Sequence, residues 1–267
     1  MESKNLVIIG LKGLPKIKKG DNIAKLVVDL IKSSKTTLES KDILVIAQSI
    51  VSKSIGRIRD LSEITPSGEA IELYQQIKAK AEKLGIPVKS PELIQAILDE
   101  SKKIIKVEHV LIVETKNHGF ICANAGIDQS NVEGQNIVTL LPEKPDHEAQ
   151  KIRNELKELT NLEIAVIISD SFGRPFRIGS TGVAIGIAGM NPILDQRGFK
   201  DLYGYTLQTT IIGHADNLVS AAQIVMGESN EGIPVVIIRG YDYEIEENAS
   251  IVPILREPNL DLFRSEE

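Results

Sequence analysis

A mixed α/β fold of the α+β type, built on an antiparallel or mixed sheet, follows from three observations on this chain of 267 residues. Short apolar and β-branched runs recur at 6–9, 42–47, 110–113, 166–168 and 234–238, each bounded by glycine, proline or polar clusters, which is the pattern of buried strands. Between them lie stretches with helical spacing, of which Ile23, Leu26, Val27, Leu30 and Ile31 are the first. Strand and helix alternate in βαβ fashion only around 145–168, so a long regular parallel series is not expected. No tandem repeat or low-complexity linker divides residues 1–267, which are read as one unit.

Taken in order, the first strand runs into Gly10, Leu11, Lys12, Gly13, Leu14, Pro15 and Lys16, a glycine-punctuated loop that lacks the GxxxxGK[ST] spacing of a P-loop. Asp21 is expected to cap the first helix. The strand at 42–47 ends in Gln48, Ser49, Ile50, Val51, Ser52, Lys53 and Ser54, read as a polar loop whose hydroxyls and lysine suit a phosphate, or equally a solvated connection. Arg57 and Arg59 follow. A helix is expected over 68–83 with Gly85 past its end, and Ser90-Pro91-Glu92 opens the next. After the strand at 110–113, an apolar and small run from Phe120 passes Gly126 and delivers Asp128, with Ser130 and Asn131 behind it. His118 has no partner at ligand spacing and is given no role.

Pro145-Asp146-His147 opens a helix leading to Val166. From Val166 a buried strand is expected to carry Asp170 to its C-terminal end, followed by a loop with Gly173, Arg174, Pro175, Arg177 and Gly179 and a second apolar run. A carboxylate beside two arginines and two glycines suits a cation with phosphate. A strand that simply turns, with Asp170 as turn cap, accounts for the same residues. Residues 201–205 read as a turn and 206–212 as a strand, with Asp216 as cap of a helix through Met226. That helix ends in Gly227, Glu228, Ser229, Asn230, Glu231 and Gly232, where a C-cap explains Gly227 and leaves both glutamates over. The tail at 251–263 is read as an extended arm.

Composition narrows the function classes. A net charge of −6, no tryptophan and 4% aromatic residues give nucleic acid no general footing. Cys122 is the single cysteine, which excludes an internal disulfide and multi-cysteine metal sites and makes a reducing, cytoplasmic setting the expectation. No apolar run approaches the ~18 residues of a membrane span. Asp128, Asp170 and Glu228 sit on three separate loops as oxygen donors for Mg²⁺ or Mn²⁺, with Lys16, Ser49 and Lys53 as phosphate contacts, if the fold brings them together.

The segments GLPK at 13–16, SIVSKSIGRI at 49–58, NAGIDQSN at 124–131, SDSFGRPFRIGSTGVAIGIAG at 169–189, DLYG at 201–204 and MGESNEGIP at 226–234 resemble, in the same order, those of the coenzyme F420 γ-glutamyl ligase family. The resemblance implies a GTP-dependent enzyme that adds L-glutamate to the deazaflavin precursor F420-0, and further γ-linked glutamates, through an acyl phosphate. It implies divalent metal, two Mg²⁺ or Mn²⁺ ions, on Asp128, Asp170, Ser171 and Glu228, with Asp128 and Asp170 central to catalysis and K⁺ as a further ion. It implies GTP contacts at Gly13, Leu14, Pro15, Lys16, Ser49, Lys53, Asn131, Val225, Met226, Gly227, Glu228, Ser229, Asn230, Glu231 and Gly232. Gln48 stands where the resemblance would allow serine, so no GTP contact is expected of it. The implied fold has two intertwined subdomains in a homodimer, in the stand-alone form without a nitroreductase-like domain. A metal-dependent phosphohydrolase and a non-catalytic deazaflavin-binding protein are the competing readings.

Overall fold

In the computed structural model, residues 5–261 and 263 are described. The chain runs β1 (Val7–Leu11), α1 (Ile23–Ser33), β2 (Ile43–Ala47), α2 (Gln48–Ile55), β3 (Ile58–Asp60), α3 (Gly68–Leu84), α4 (Pro91–Asp99), β4 (Ser101–Val107), β5 (Leu111–Thr115), β6 (Ile121–Ala123) and β7 (Ile137–Thr139). It continues through α5 (Pro145–Thr160), β8 (Ala165–Gly173), β9 (Ser180–Ala188), β10 (Leu194–Asp195), β11 (Ile211–Ile212), α6 (His214–Met226) and β12 (Val235–Arg239). The expected mixed α/β class is what forms.

The main sheet has the order β1-β12-β2-β8-β9 and is mixed: β2 and β8 are parallel, and the other pairs are antiparallel. Ile43, Leu44, Val45 and Ile46 of β2, like Val235 to Ile237 of β12, are fully buried, because helices cover both faces and leave no polar side to alternate with. Glycine lets the helices approach. A Cβ on Gly186 of β9 would stand 2.6 Å from the Pro145 carbonyl carbon of α5, and one on Gly182 would stand 2.8 Å from Val219 Cγ1 of α6.

A parallel neighbour requires a crossover, and here the connection from β2 to β8 is residues 48–164. That connection holds a second hydrophobic core of its own, in which Leu73 and Ile77 of α3 and Ile94 and Ile97 of α4 pack with Leu111, Val113 and Val138. It is backed by the three-stranded sheet β4-β5-β6 and the ribbon β3-β7. Buried polar groups join the two cores: Gln48 Nε2 and Ser52 Oγ both donate to the Leu140 carbonyl, at 3.1 and 2.6 Å. Arg57 adds a 2.6 Å ion pair to Glu100.

Several local expectations are corrected. Residues 48–54 form a helix and not a loop, since Ile50, Val51 and Ser52 turn inward together while Ser49 and Lys53 stay accessible. Asn22, not Asp21, caps α1; Asp21 accepts instead from the Lys18 amide. Asp216 is inside the first turn of α6 and accepts from the Ala184 amide at 2.8 Å, tying the helix to β9 in place of capping it. Only Ile211–Ile212 of the stretch 206–212 forms a strand. The lysine-bearing β4 was not anticipated, being a half-exposed strand without a continuous apolar run. In the tail, Val252–Ile254 and Pro258–Leu260 are single 3₁₀ turns rather than one extended arm, and Leu262 lies outside the described residues. Among the described residues no helix is long and apolar enough to cross a membrane.

Candidate active site

The C-terminal ends of the parallel strands β2 and β8 open into a groove of about 960 Å³. This is where an open sheet containing parallel strands offers space at strand ends, and where helix N-termini point their amides. Here the N-terminal turn of α2, Gln48 and Ser49, follows β2 directly. Gln48 is consumed by its bonds to Ser52 and Leu140, so Ser49 is the polar side chain of that turn left accessible.

Asp170 reaches the groove from within β8. The strand does not end there: it pairs with β9 as far as Gly173 opposite Ser180, so the turn-cap reading of Asp170 is excluded by its position. Between Ile168 and Ser169 the register with β9 shifts by a bulge, which re-aims the strand just before Ser169-Asp170-Ser171. Asp128 is brought to the same place by a different device. Asn124, Ala125 and Gly126 are successively left-handed, with φ of 54°, 56° and 69°, and Gly126 leaves no room for a side chain against Leu141. Asp128 is then pinned through its backbone to Thr139 of β7, with bonds of 3.1 and 2.8 Å. Glu228 follows the end of α6, where Gly227 donates its amide to Gln223.

Burial and the Asp128 and Glu228 carboxylates push the Asp170 acid up to about 7, although the Ser171 amide, 2.8 Å from Oδ1, opposes the rise. Part of the Asp170 residue surface faces the groove, but the carboxylate itself sits deep among protein atoms, and that depth governs its ionisation. Beneath it the buried Cys122 thiol is pushed up to about 12 by desolvation and by the Asp170 charge, which makes it inert. Asp128 accepts from the Ser130 amide and hydroxyl at 2.7 and 2.6 Å. Glu228 accepts from Ser171 Oγ at 2.5 Å and from Gln223 Nε2, which also bonds Ser171. Lys53 donates to the Asn131 carbonyl at 2.6 Å across the groove; burial holds its pKa below the usual lysine range, against the pull of Asp128.

Of the expected nucleotide contacts, Leu14, Pro15, Lys16, Ser49, Lys53 and Asn131 line the groove. Met226, Gly227, Glu228, Ser229, Glu231 and Gly232 line it as well, together with Asp128, Asp170 and Ser171. Gly13, Val225 and Asn230 are not in its wall; Val225 packs over Gly10 of β1 instead. Glu231 has a structural task, accepting from the Ser229 amide, and its pKa is lowered by backbone bonds. Arg174 and Arg177, read as phosphate forks, stand on the exposed tip at 174–179 and not in the groove. Gln223 was missed because a glutamine on an amphipathic helix reads as solvated, and Ser130 because it reads as a turn residue; both bond the acidic centre.

Among the described residues no three His, Cys, Asp or Glu side chains stand as a ready-made metal cluster. The donor chemistry nevertheless fits a hard divalent cation. Asp128, Asp170, Glu228 and the Ser171 hydroxyl line one groove as oxygen donors, and Asp170 resists ionisation there because it is buried and faces two further carboxylates.

Comparison with known proteins gives the family to which this chain is similar. Residues 12–240 match the sequence profile of the family described as F420-0:Gamma-glutamyl ligase. The chain is 48% identical over 258 residues to the coenzyme F420:L-glutamate ligase of Methanothermobacter thermautotrophicus, covering 96% of this chain and 98% of the relative. Identity to the protein of that name from Methanocaldococcus jannaschii is 44% over 267 residues, 99% of either chain. With the Haloarcula marismortui protein of that name it is 38% over 257 residues, 96% of this chain and 95% of the relative. With the profile spanning both cores and the relatives matched from end to end, the chain belongs to the F420-0:gamma-glutamyl ligase family.

Proposed function

We propose that this protein joins L-glutamate to F420-0 by an amide bond, with GTP converted to GDP and phosphate. The observation that carries the reading is the meeting, in one groove, of carboxylates from three distant segments with Lys16, Ser49 and Lys53. Amide formation from a carboxylate needs a better leaving group than oxide. In the proposed path a carboxylate oxygen of F420-0 attacks the γ-phosphorus of GTP, the bond to the β-bridging oxygen breaks, and an acyl phosphate forms. The glutamate amine then bonds the acyl carbon, phosphate departs, and the amine protons pass to water.

The groove residues have parts to match. Lys16 and Lys53 offer positive charge to phosphate oxygens, Lys53 exchanging its bond to the Asn131 carbonyl for the ligand. Ser49 and the first amides of α2 present donors at a helix N-terminus. Ser130 and Gln223 hold Asp128 and Glu228 in position. Asp128, Asp170, Glu228 and Ser171 would hold Mg²⁺ or Mn²⁺, in one or two sites and with K⁺ as a further counter-ion, and the cation would supply charge neutralisation on the phosphate oxygens. No side-chain nucleophile is required, in keeping with Cys122 being inert.

The test is a mass-resolved assay of purified protein with GTP, Mg²⁺ or Mn²⁺, glutamate and F420-0. The expected result is a product heavier by one or more glutamyl units, with GDP formed only when both acceptor and glutamate are present. Phosphate release without glutamate would instead make the protein a phosphohydrolase. Guanine nucleotide is expected to outcompete adenine nucleotide, and equal affinity for the two would remove GTP from the reading.

A further inference from the structure

The groove changes character along α2. Ser49 and Lys53, one turn apart on the accessible face of that helix, both line it, and Gly56 ends the helix. Ser49 lies at the acidic end, because Ala47 of β2 pairs with Ser169, the neighbour of Asp170. At 1.5 Å per residue, Gly56 stands about 10 Å further along the axis, toward the second core.

That far end is apolar and basic. Ile58 pairs with Thr139 and Ile137 with Asp60, so Ile58 and Ile137 share one face of the β3-β7 ribbon. Both line the groove, while Val138 on the opposite face is buried in the second core. Ile58 is 40% exposed, and half-buried Val132 joins it on the groove wall. The loop before α1 brings charge to this shelf. Gly20 donates its amide to the Ser54 carbonyl at 2.8 Å, and a Cβ on Gly56 would stand 2.8 Å from both Cδ and Cε of Lys19. Lys19 is thereby laid across the end of α2, two residues before Ile58. Lys18 and Lys19 line the groove, and neither side chain forms an ion pair or hydrogen bond among the described residues. Against these two cations the loop at 131–135 sets one exposed carboxylate, Glu133. At about 960 Å³ the groove reaches the top of the roughly 300–1,000 Å³ range of sites for one small ligand, which leaves space beside a nucleotide.

We propose that the shelf of Ile58, Val132 and Ile137, with Lys18 and Lys19, receives the acceptor F420-0: its deazaflavin ring on the apolar residues, its anionic side chain along the two lysines, and its reacting carboxylate toward the acidic centre. This deepens, and rests on, the ligase reaction proposed above. The nucleotide phosphates then lie by Ser49 and the acidic centre, and the acceptor reaches the γ-phosphate from the side of the second core. A purine base is the rival occupant of the shelf, but it is neutral and gives the two lysines no charge to meet.

Lys18→Ala, Lys19→Ala, the double variant and Ile58→Ser test this, with Lys18→Arg, Lys19→Arg and Lys12→Ala as comparison; Lys12 is an exposed lysine of the same loop outside the groove wall. All the substituted positions are exposed, so the thermal midpoint should stay at the wild-type value, and it is measured for each variant. Binding of F420-0 is read from the fluorescence of the deazaflavin without GTP, and binding of GTP by calorimetry with Mg²⁺. The expected result is a rise in Kd for F420-0 of about tenfold for each lysine and for Ile58→Ser, with Kd for GTP within about twofold of wild type. The arginine variants should recover part of the loss, and Lys12→Ala should bind as wild type. A rise in Kd for GTP of the same size gives the shelf to the nucleotide, an unchanged Kd for F420-0 removes the acceptor from it, and an equal loss with Lys12→Ala reduces the effect to net charge; each overturns the proposal. Lysine-dependent binding of F420-0 with no glutamyl product sinks the ligase reaction and keeps the shelf. A glutamyl product formed by the double variant at the wild-type KM for F420-0 sinks the shelf and keeps the ligase.

Discussion

Asp170 carries an electrostatic conflict that protonation relieves and that a bound cation would also relieve. Its folded-state pKa of about 7 lies above the ordinary carboxylate value of about 4. For an acid shifted upward, the stability this one group contributes is fully present below pH ~4 and is lost as pH rises from there through 7. Asp170→Asn removes the ionisable group and keeps the oxygen that accepts from the Ser171 amide. At pH 8 without metal, its thermal midpoint is therefore expected a few degrees above wild type, the gap closing toward pH 4. Added Mg²⁺ or Mn²⁺ should raise the wild-type midpoint and leave the variant where it was. Glutamate transfer by the variant should fall by orders of magnitude, since metal-supplied charge stabilisation amounts to several kcal/mol. Asp201→Asn is the comparison: its Oδ1 accepts from the Tyr203 and Tyr205 amides in an exposed turn, a role asparagine can also fill, and transfer should stay near wild type. Calorimetry with and without metal, beside the ligation rate, checks both. A destabilised Asp170→Asn protein that still ligates at the wild-type rate would return Asp170 to a structural role.

At the scale of elements, β9 separates stability from function, because α5 and α6 press on it at two glycines. Gly186→Ala puts a methyl group into the Pro145 backbone at the start of α5, well away from the groove wall. Overpacking of this kind costs about 1–3 kcal/mol, so a lower midpoint with kcat and KM retained is expected. Gly182→Ala meets Val219 and also stands 3.1 Å from Gln223 Oε1. Moving Gln223 disturbs Ser171 and Glu228, so this variant should lose activity beyond what its midpoint explains; equal activity in the two variants would deny Gln223 its positioning role. The strands at 43–47 and 235–239 were legible because both faces are buried and leave an unbroken apolar run. The helix α2 was not, because Ser, Lys and Gln after a strand also describe a loop, and only the inward turn of Ile50, Val51 and Ser52 decides. Asp21 and Asp216 look like caps in sequence, yet Asn22 and Gly213 hold those places and the carboxylates serve neighbouring segments.

For the whole molecule, the decisive fact is that β2 and β8 pair across more than a hundred residues and hang the second core on their connection. Local periodicity contains nothing about that pairing, so the main sheet order and the juncture that makes the groove were outside its reach, while the carboxylate-bearing motifs themselves were plain. The same limit applies to what lies outside the chain. The hairpin arm around β10 and β11 exposes Leu194, Phe199, Leu202, Tyr203, Tyr205 and Ile211, with Leu202 and Tyr203 at 100% and 97%. The arm is ordered internally, since Lys200 bridges Thr206 and Asp201 closes the turn, so its apolar side chains are held outward and not merely loose. Large apolar side chains held outward by an ordered element are proposed as an interaction site, and, since the resemblance implies an intertwined homodimer, the partner proposed is a second copy of this chain. Sedimentation at micromolar concentration is expected to give the dimer mass, with a midpoint that rises with protein concentration. Leu202→Asp with Tyr203→Asp, placed where no core contact is lost, should shift the protein to monomer while its secondary structure persists. A wild-type monomer at that concentration, or a variant that remains dimeric, would assign the arm to something other than self-association.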